Sequence, residues 1–240
     1  MINGLFADLN SFQEMVPILS EKFNLLRYDC RGQGESPCPK LEIYTLEDHV
    51  SDLSLLLDFL KIKECCFFGL SNGARVAMEF ACQSPSRARA VICADGFDVA
   101  SPLLKLKLGS WLKAHEVGGD LLRFDIATPW VWGESLVAKK PELVDYYRKR
   151  AEKRESYVVS ALIKGALEGD INTCLIGCRV LFLVGKEDLL TPPFLCEKMH
   201  LKRLEKGLES QFEIIDGGHA APIEYPHRSA RRILNFLNEQ

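Results

Sequence analysis

The segment Gly69-Leu70-Ser71-Asn72-Gly73 has the residue types and spacing to carry a nucleophile. It follows the apolar run at residues 65–68 (CCFF) and runs straight into a helical stretch, and that strand–turn–helix setting gives a GxSxG string its meaning. Such a turn exposes the serine hydroxyl at the carboxyl end of a sheet. Glycines flank it where neighbouring side chains would collide. The first amides of the following helix face the same spot, where negative charge is favoured. The alternative is a glycine-rich turn with a solvated serine.

A serine hydroxyl is a weak nucleophile until a base takes its proton. Of five histidines, His219 lies in Asp216-Gly217-Gly218-His219-Ala220, just past the last apolar run and on the side where the Ser71 turn points. His49 falls within a helix and reads as a surface or packing residue. His115, His200 and His227 lie on polar helical stretches. An imidazole base needs an acid to fix its tautomer and stabilise the imidazolium. Asp188, in Gly185-Lys186-Glu187-Asp188 after RVLFLV, is the better placed, and Asp95 after AVICA is the contender. A further motif, Asp29-Cys30-Arg31-Gly32-Gln33-Gly34-Glu35-Ser36, reads as structural: glycines for a tight turn, with Asp and Arg to hold it.

These residues need a scaffold that brings strand ends together. Short apolar runs at residues 24–29, 65–68, 90–94, 179–184 and 211–216 alternate with helical stretches, the pattern of a parallel sheet covered by helices. Their continuous apolarity suits strands buried on both faces. Residues 45–60 carry Leu46, Val50, Leu53, Leu57 and Leu60 near a 3.6 period, opened by a Thr45/Asp48 capping box. Residues 74–82 and 226–237 read as two further helices. No convincing strand falls between residues 97 and 173, where helical composition is broken by Gly118-Gly119, Pro129, Gly133, Pro141 and Gly169. This insertion holds all three tryptophans, Trp111, Trp130 and Trp132. With Phe97 they are candidates to line a substrate pocket, packing within the insertion being the alternative.

Bulk properties agree with a globular domain. The 240 residues are 47% hydrophobic and 26% charged, with 30 basic and 33 acidic side chains for a net charge of −3. No basic field points to nucleic acid or an anionic membrane. No run of 18 apolar residues is present, and residues 1–12 lack the pattern of a signal peptide. Nine cysteines without CxxC spacing or a nearby histidine set give no metal site and suit a reduced cytoplasm.

Taken together, NGLFADLNSF, DCRGQGES, GLSNGA, VGKEDLLTP and GGHAAPIE resemble the α/β-hydrolase fold superfamily in order and spacing, over nearly the whole chain. The layout is most similar to the small cofactor-free branch of 3-oxoadipate enol-lactonases, carboxylesterases and non-haem haloperoxidase-like proteins. The resemblance implies an α/β fold: a mostly parallel sheet flanked by helices, residues 1–96 and 174–240 forming the core and 97–173 a helical cap. It implies a triad in the chain order Ser71, Asp188, His219, with backbone N–H groups of Leu5 and Asn72 as the oxyanion hole. Asn3-Gly4-Leu5 stands where the family commonly has His-Gly-X. The implied activity is hydrolysis of a small carboxylic ester, thioester or lactone through an acyl-enzyme, without metal or organic cofactor. The implied partner is a small molecule, not nucleic acid or membrane. The sequence specifies neither oligomeric state nor the acyl and leaving groups. Carbon–carbon bond hydrolysis or perhydrolysis on the same triad, and a non-catalytic or degenerate ligand binder, are the rival readings. One departure lies at the N-terminus: Met1-Ile2 come two residues before the oxyanion turn, so N-terminal strands are expected to be missing and the true start to lie upstream. Interior strands would then face a gap, at on the order of 1–3 kcal/mol per buried unpaired group.

Overall fold

The computed structural model describes residues 1–151 and 154–239. Four parallel strands form its centre: β1 (Cys65–Leu70), β2 (Ala88–Ala94), β3 (Arg179–Gly185) and β4 (Ser210–Ile215), adjacent in sequence order. Helices precede and separate them: α1 (Val16–Leu19) and α2 (Leu46–Phe59) before β1, and α3 (Asn72–Gln83) between β1 and β2. Between β2 and β3 lie α4 (Pro102–Val131), α5 (Glu134–Lys139), α6 (Pro141–Arg150) and α7 (Ser156–Ala166). α8 (Pro193–Glu205) joins β3 to β4, and α9 (Ala221–Glu224) and α10 (Pro226–Asn238) follow.

Side chains of alternate strand residues enter two separate cores, the period-two consequence of the pleat. Phe67, Val91, Val180 and Phe182 pack with Leu53, Phe80 and Met199 of α2, α3 and α8. Phe68, Ile92, Leu181 and Leu183 pack on the other face with Phe12, Leu19, Ile233 and Phe236. This two-sided covering explains why β2 and β3 read as unbroken apolar runs. The start of α2 is fixed by a capping box, with Asp48 N–H donating to Thr45 Oγ1 (3.1 Å) and Thr45 N–H to Asp48 Oδ2 (2.9 Å).

Residues 24–29 form no strand, which corrects the expectation from their apolarity. Leu25 still packs on one core and Leu26 and Tyr28 on the other. Lying between this segment and β1 are residues 1–3. The Met1 amine donates to Leu26 O (2.8 Å) and Asn3 Nδ2 to Tyr28 O (3.3 Å). Ile2 makes a single parallel bridge to Gly69, with Ile2 N–H donating to Phe68 O (2.8 Å) and Leu70 N–H to Ile2 O (3.1 Å). Three residues provide too few pairs to build a ladder on either side.

The helices between β2 and β3 have a core of their own, in which Leu104, Leu108 and Trp111 of α4 meet Val159 and Ile163 of α7. α4 is two helices joined at Gly119, whose φ of 70° and ψ of −166° break the run. That conformation is open to glycine and strained for other residues. Among the described residues no helix is long and apolar enough to cross a membrane.

Candidate active site

Ser71 sits between β1 and α3 with φ 55° and ψ −117°, a left-handed conformation for a non-glycine residue. Such backbone costs on the order of 1–3 kcal/mol and persists only where its surroundings hold it. Here Ser71 N–H donates to Ala94 O on β2 (2.8 Å), and Ser71 O accepts from Ala74 and Arg75 N–H (3.0 and 3.2 Å). The flanking glycines are steric necessities. A Cβ on Gly69 would stand 2.2 Å from Gly73 O, and one on Gly73 would stand 2.2 Å from Ile2 O.

The chain leaving β3 turns at once, with Asp188 N–H donating to Gly185 O (3.1 Å). The Asp188 carboxylate is buried and Oδ1 accepts from Leu190 and Thr191 N–H, both at 2.8 Å. Its Oδ2 lies 2.9 Å from His219 Nδ1, and His219 Nε2 lies 2.8 Å from Ser71 Oγ. A carboxylate can only accept, so Nδ1 carries the imidazole proton and Nε2 is left to accept from the serine. His219 itself is set by its N–H donating to Val131 O at the end of α4 (2.7 Å).

Asp95 directly follows β2 and stands apart from this relay. Its Oδ1 accepts from Gly185 N–H (2.7 Å), and among the described residues Oδ2 has no partner. Burial, and then the negative charge of Asp188, hold its carboxyl well above the usual range. The Asp29–Arg31 motif forms a braced loop. Asp29 accepts from Leu9 N–H (2.7 Å) and Glu35 N–H (3.1 Å), while Arg31 forks onto Asp52 with two bonds of 2.7 Å.

Ser71 and His219 open on a cavity of about 620 Å³, which Leu5 and Asn72 also line. Among the described residues neither the Leu5 nor the Asn72 N–H donates to a backbone acceptor. Phe97, Trp111 and Trp132 line the same cavity. Trp130 does not, which corrects the pocket expectation. The Lys107 ammonium lies 4.8 Å from its ring centroid, and the same ammonium donates to Leu189 O and Leu190 O beyond Asp188.

Two site residues escaped the sequence reading. Thr191 Oγ1 lies 2.8 Å from Asp188 Oδ2, 2.9 Å from Asp95 O and 3.0 Å from His219 Nδ1, tying the acid loop to β2. Its place three residues after Asp188, before a Pro-Pro step, was the available signal. Glu224 Oε1 accepts from Gly133 N–H (3.1 Å) and Gly218 N–H (3.0 Å), fastening the insertion to the His219 loop. Nothing local marks Glu224, because Gly133 is 91 residues away.

Burial pushes the Glu224 carboxyl up to about 7. A folded-state value above the unfolded one means that the group's contribution is full below about pH 4.5 and is lost as pH rises through about 7. Glu224→Gln keeps an oxygen acceptor and removes the titration. The wild-type Tm is therefore expected to fall relative to that of Glu224→Gln between pH 5 and pH 8, by several degrees where about 1 kcal/mol moves Tm by about 2–4 °C. Parallel melting curves across that range check this, and a constant difference would count against it.

The family model described as "alpha/beta hydrolase fold" matches residues 1–226. The chain is 24% identical to 3-oxoadipate enol-lactonase 2 of Acinetobacter baylyi, covering 93% of this chain and 82% of that protein. It is 22% identical to the uncharacterized hydrolase YugF of Bacillus subtilis, covering 98% and 88%. Among solved structures, a thermophilic esterase from Thermogutta terrifontis is 27% identical with a TM-score of 0.86, covering 98% of this chain and 87% of that one. The enol-lactonase of Burkholderia xenovorans has a TM-score of 0.89 at 23% identity, covering 99% and 90%. With the parallel sheet, the strained serine turn and this match in hand, the chain belongs to the α/β-hydrolase fold family.

Proposed function

We propose that the protein is a serine hydrolase that cleaves a small carboxylic ester, thioester or lactone through an acyl-enzyme. The observation that carries this reading is the relay from Asp188 Oδ2 to His219 (2.9 Å) and from His219 Nε2 to Ser71 Oγ (2.8 Å), facing a cavity of small-molecule size. Ser71 Oγ attacks the acyl carbon while His219 Nε2 takes its proton. The Leu5 and Asn72 amides hold the oxyanion, where one such donor is worth about 10²–10³ in turnover. The tetrahedral intermediate collapses as His219 returns the proton to the leaving oxygen or sulfur. Water, deprotonated by the same imidazole, then releases the acid. The esterase and enol-lactonase among the similar proteins are in keeping with this class.

The test is covalent. A fluorophosphonate is expected to label Ser71 stoichiometrically, located by peptide mass, and to abolish turnover of p-nitrophenyl butyrate in proportion. No labelling would favour the non-catalytic binder instead. Adding hydrogen peroxide to the ester assay separates perhydrolysis: peracid formation outrunning hydrolysis would replace water as the acceptor.

A further inference from the structure

The loop that carries the acid is gripped from two sides. On one side Asp188 Oδ1 accepts from the N–H groups of Leu190 and Thr191, both at 2.8 Å. On the other, the Lys107 ammonium of α4 donates to Leu189 O and to Leu190 O (3.3 Å). These four backbone groups are not independent. Leu189 C=O and Leu190 N–H belong to one peptide unit, and Leu190 C=O and Thr191 N–H to the next. Both units are trans, so the carbonyl oxygen and the amide hydrogen of each point in opposite directions. Each unit therefore lies between a cation at its oxygen and a carboxylate at its hydrogen, with its dipole favourable to both charges. Lys107 and Asp188 are an ion pair transmitted through two peptide groups.

Lys107 is buried, with its ammonium 4.8 Å from the Trp130 ring centroid, and among the described residues it makes no direct ion pair. Burial draws the ammonium below its usual range, and the charge of Asp188 pushes it back. The other ionisable groups facing Asp188 are His219 and a set of acids: Asp95 after β2, Glu224 of α9 and the Cys196 thiol of α8, with Glu187 next in the chain. A carboxylate buried in such company is costly unless a cation and hydrogen bonds answer it. Asp95 provides the contrast. It accepts from a single amide, that of Gly185. Two acids share one buried corner, and the peptide-borne charge of Lys107 reaches Asp188.

We infer that Lys107 is a positioning residue of the triad: through the peptide groups joining Leu189 to Thr191, its ammonium holds Asp188 as the ionised partner of His219. The catalytic consequence rests on the acyl-transfer reading; the electrostatic one does not. Removing the cation makes proton uptake by the Asp188–His219 pair easier, so the acid limb of kcat/KM moves to higher pH. In Lys107→Gln, which keeps an N–H donor and loses the charge, the midpoint of that limb for p-nitrophenyl butyrate is expected to rise by about half a pH unit or more. In Lys107→Arg it should stay close to wild type, whatever happens to kcat. KM should change little in either variant, because Lys107 is not among the residues lining the cavity.

The same displacement is readable without turnover. The His219 ring Cε1–H resonance, assigned by its loss in His219→Gln, is followed by proton NMR from pH 4 to pH 9. Its midpoint is expected to rise in Lys107→Gln and to hold in Lys107→Arg. An unmoved midpoint in Lys107→Gln, or an equal displacement in Lys107→Arg, overturns the proposal and leaves Lys107 a packing residue. Should Lys107→Gln fail to fold, Lys107→Met, which exchanges the buried cation for an apolar end, carries the same expectation. If the ester is not turned over at all, the hydrolase reading fails, and the titration still decides the role of Lys107.

Discussion

Ser71→Ala is expected to lower kcat for p-nitrophenyl butyrate by about 10⁶, with KM and the melting temperature close to wild type. Removing the serine of a triad costs about as much as removing the whole triad, because base and acid then have nothing to activate. The fold is indifferent to the change for a local reason. Ser71 Oγ makes its bond to His219 Nε2, and the turn is held by main-chain bonds to Ala94, Ala74 and Arg75. Alanine keeps the Cβ, the left-handed φ and all of those bonds. The vacated imidazole nitrogen faces the cavity, where water can satisfy it. Steady-state kinetics and a thermal melt on one preparation check both halves. Retention of more than about one-hundredth of the activity would move the chemistry to another nucleophile, since the oxyanion donors and binding alone supply about 10³–10⁴ over water.

The parts legible in the sequence are those whose cause is local. Gly69 and Gly73 announce the serine turn because the backbones they separate belong to the turn itself and to residues 2 and 3 packed on it. Asp188 and His219 are legible because one follows the buried strand β3 and the other the partly exposed edge strand β4, and strand ends of one parallel sheet meet at one edge. Asp95 shares that placement, which is why spacing alone leaves two acids in contention. Orientation separates them: Asp95 turns back to the β3 amide of Gly185 while Asp188 faces the imidazole.

What stays hidden depends on partners distant in the chain. Residues 24–29 have the apolarity of a strand, but a ladder requires a neighbour, and residues 1–3 supply one bridge. His115 lies on a helix that reads as polar, yet it is buried against Asp120 because α4 breaks at Gly119. Trp130 and Trp132 differ by two positions and face different surroundings, one under the Lys107 ammonium and the other on the cavity. Composition places both in the insertion and assigns neither a direction.

Exchanging each acid for its amide distinguishes a residue that fixes the imidazole from one that fixes the sheet. Asp188→Asn is expected to lower kcat by about 10⁴ at pH 7. Its Oδ1 can still accept from Leu190 and Thr191, so the loop survives, but an amide hydrogen then meets His219 Nδ1. That forces the proton onto Nε2, where it blocks acceptance from Ser71 Oγ. Asp95→Asn is expected to change kcat less than tenfold. Burial and the charge of Asp188 push the Asp95 carboxyl towards its neutral form, which an amide resembles, and the amide retains the oxygen that accepts from Gly185. Its effect should fall on stability, at about 1–3 kcal/mol for a buried amide hydrogen without an acceptor. Pre-steady-state acylation rates and denaturant melts on the two variants read the split. The reverse pattern, with Asp95→Asn inactive and Asp188→Asn active, would transfer the acid's role to the end of β2.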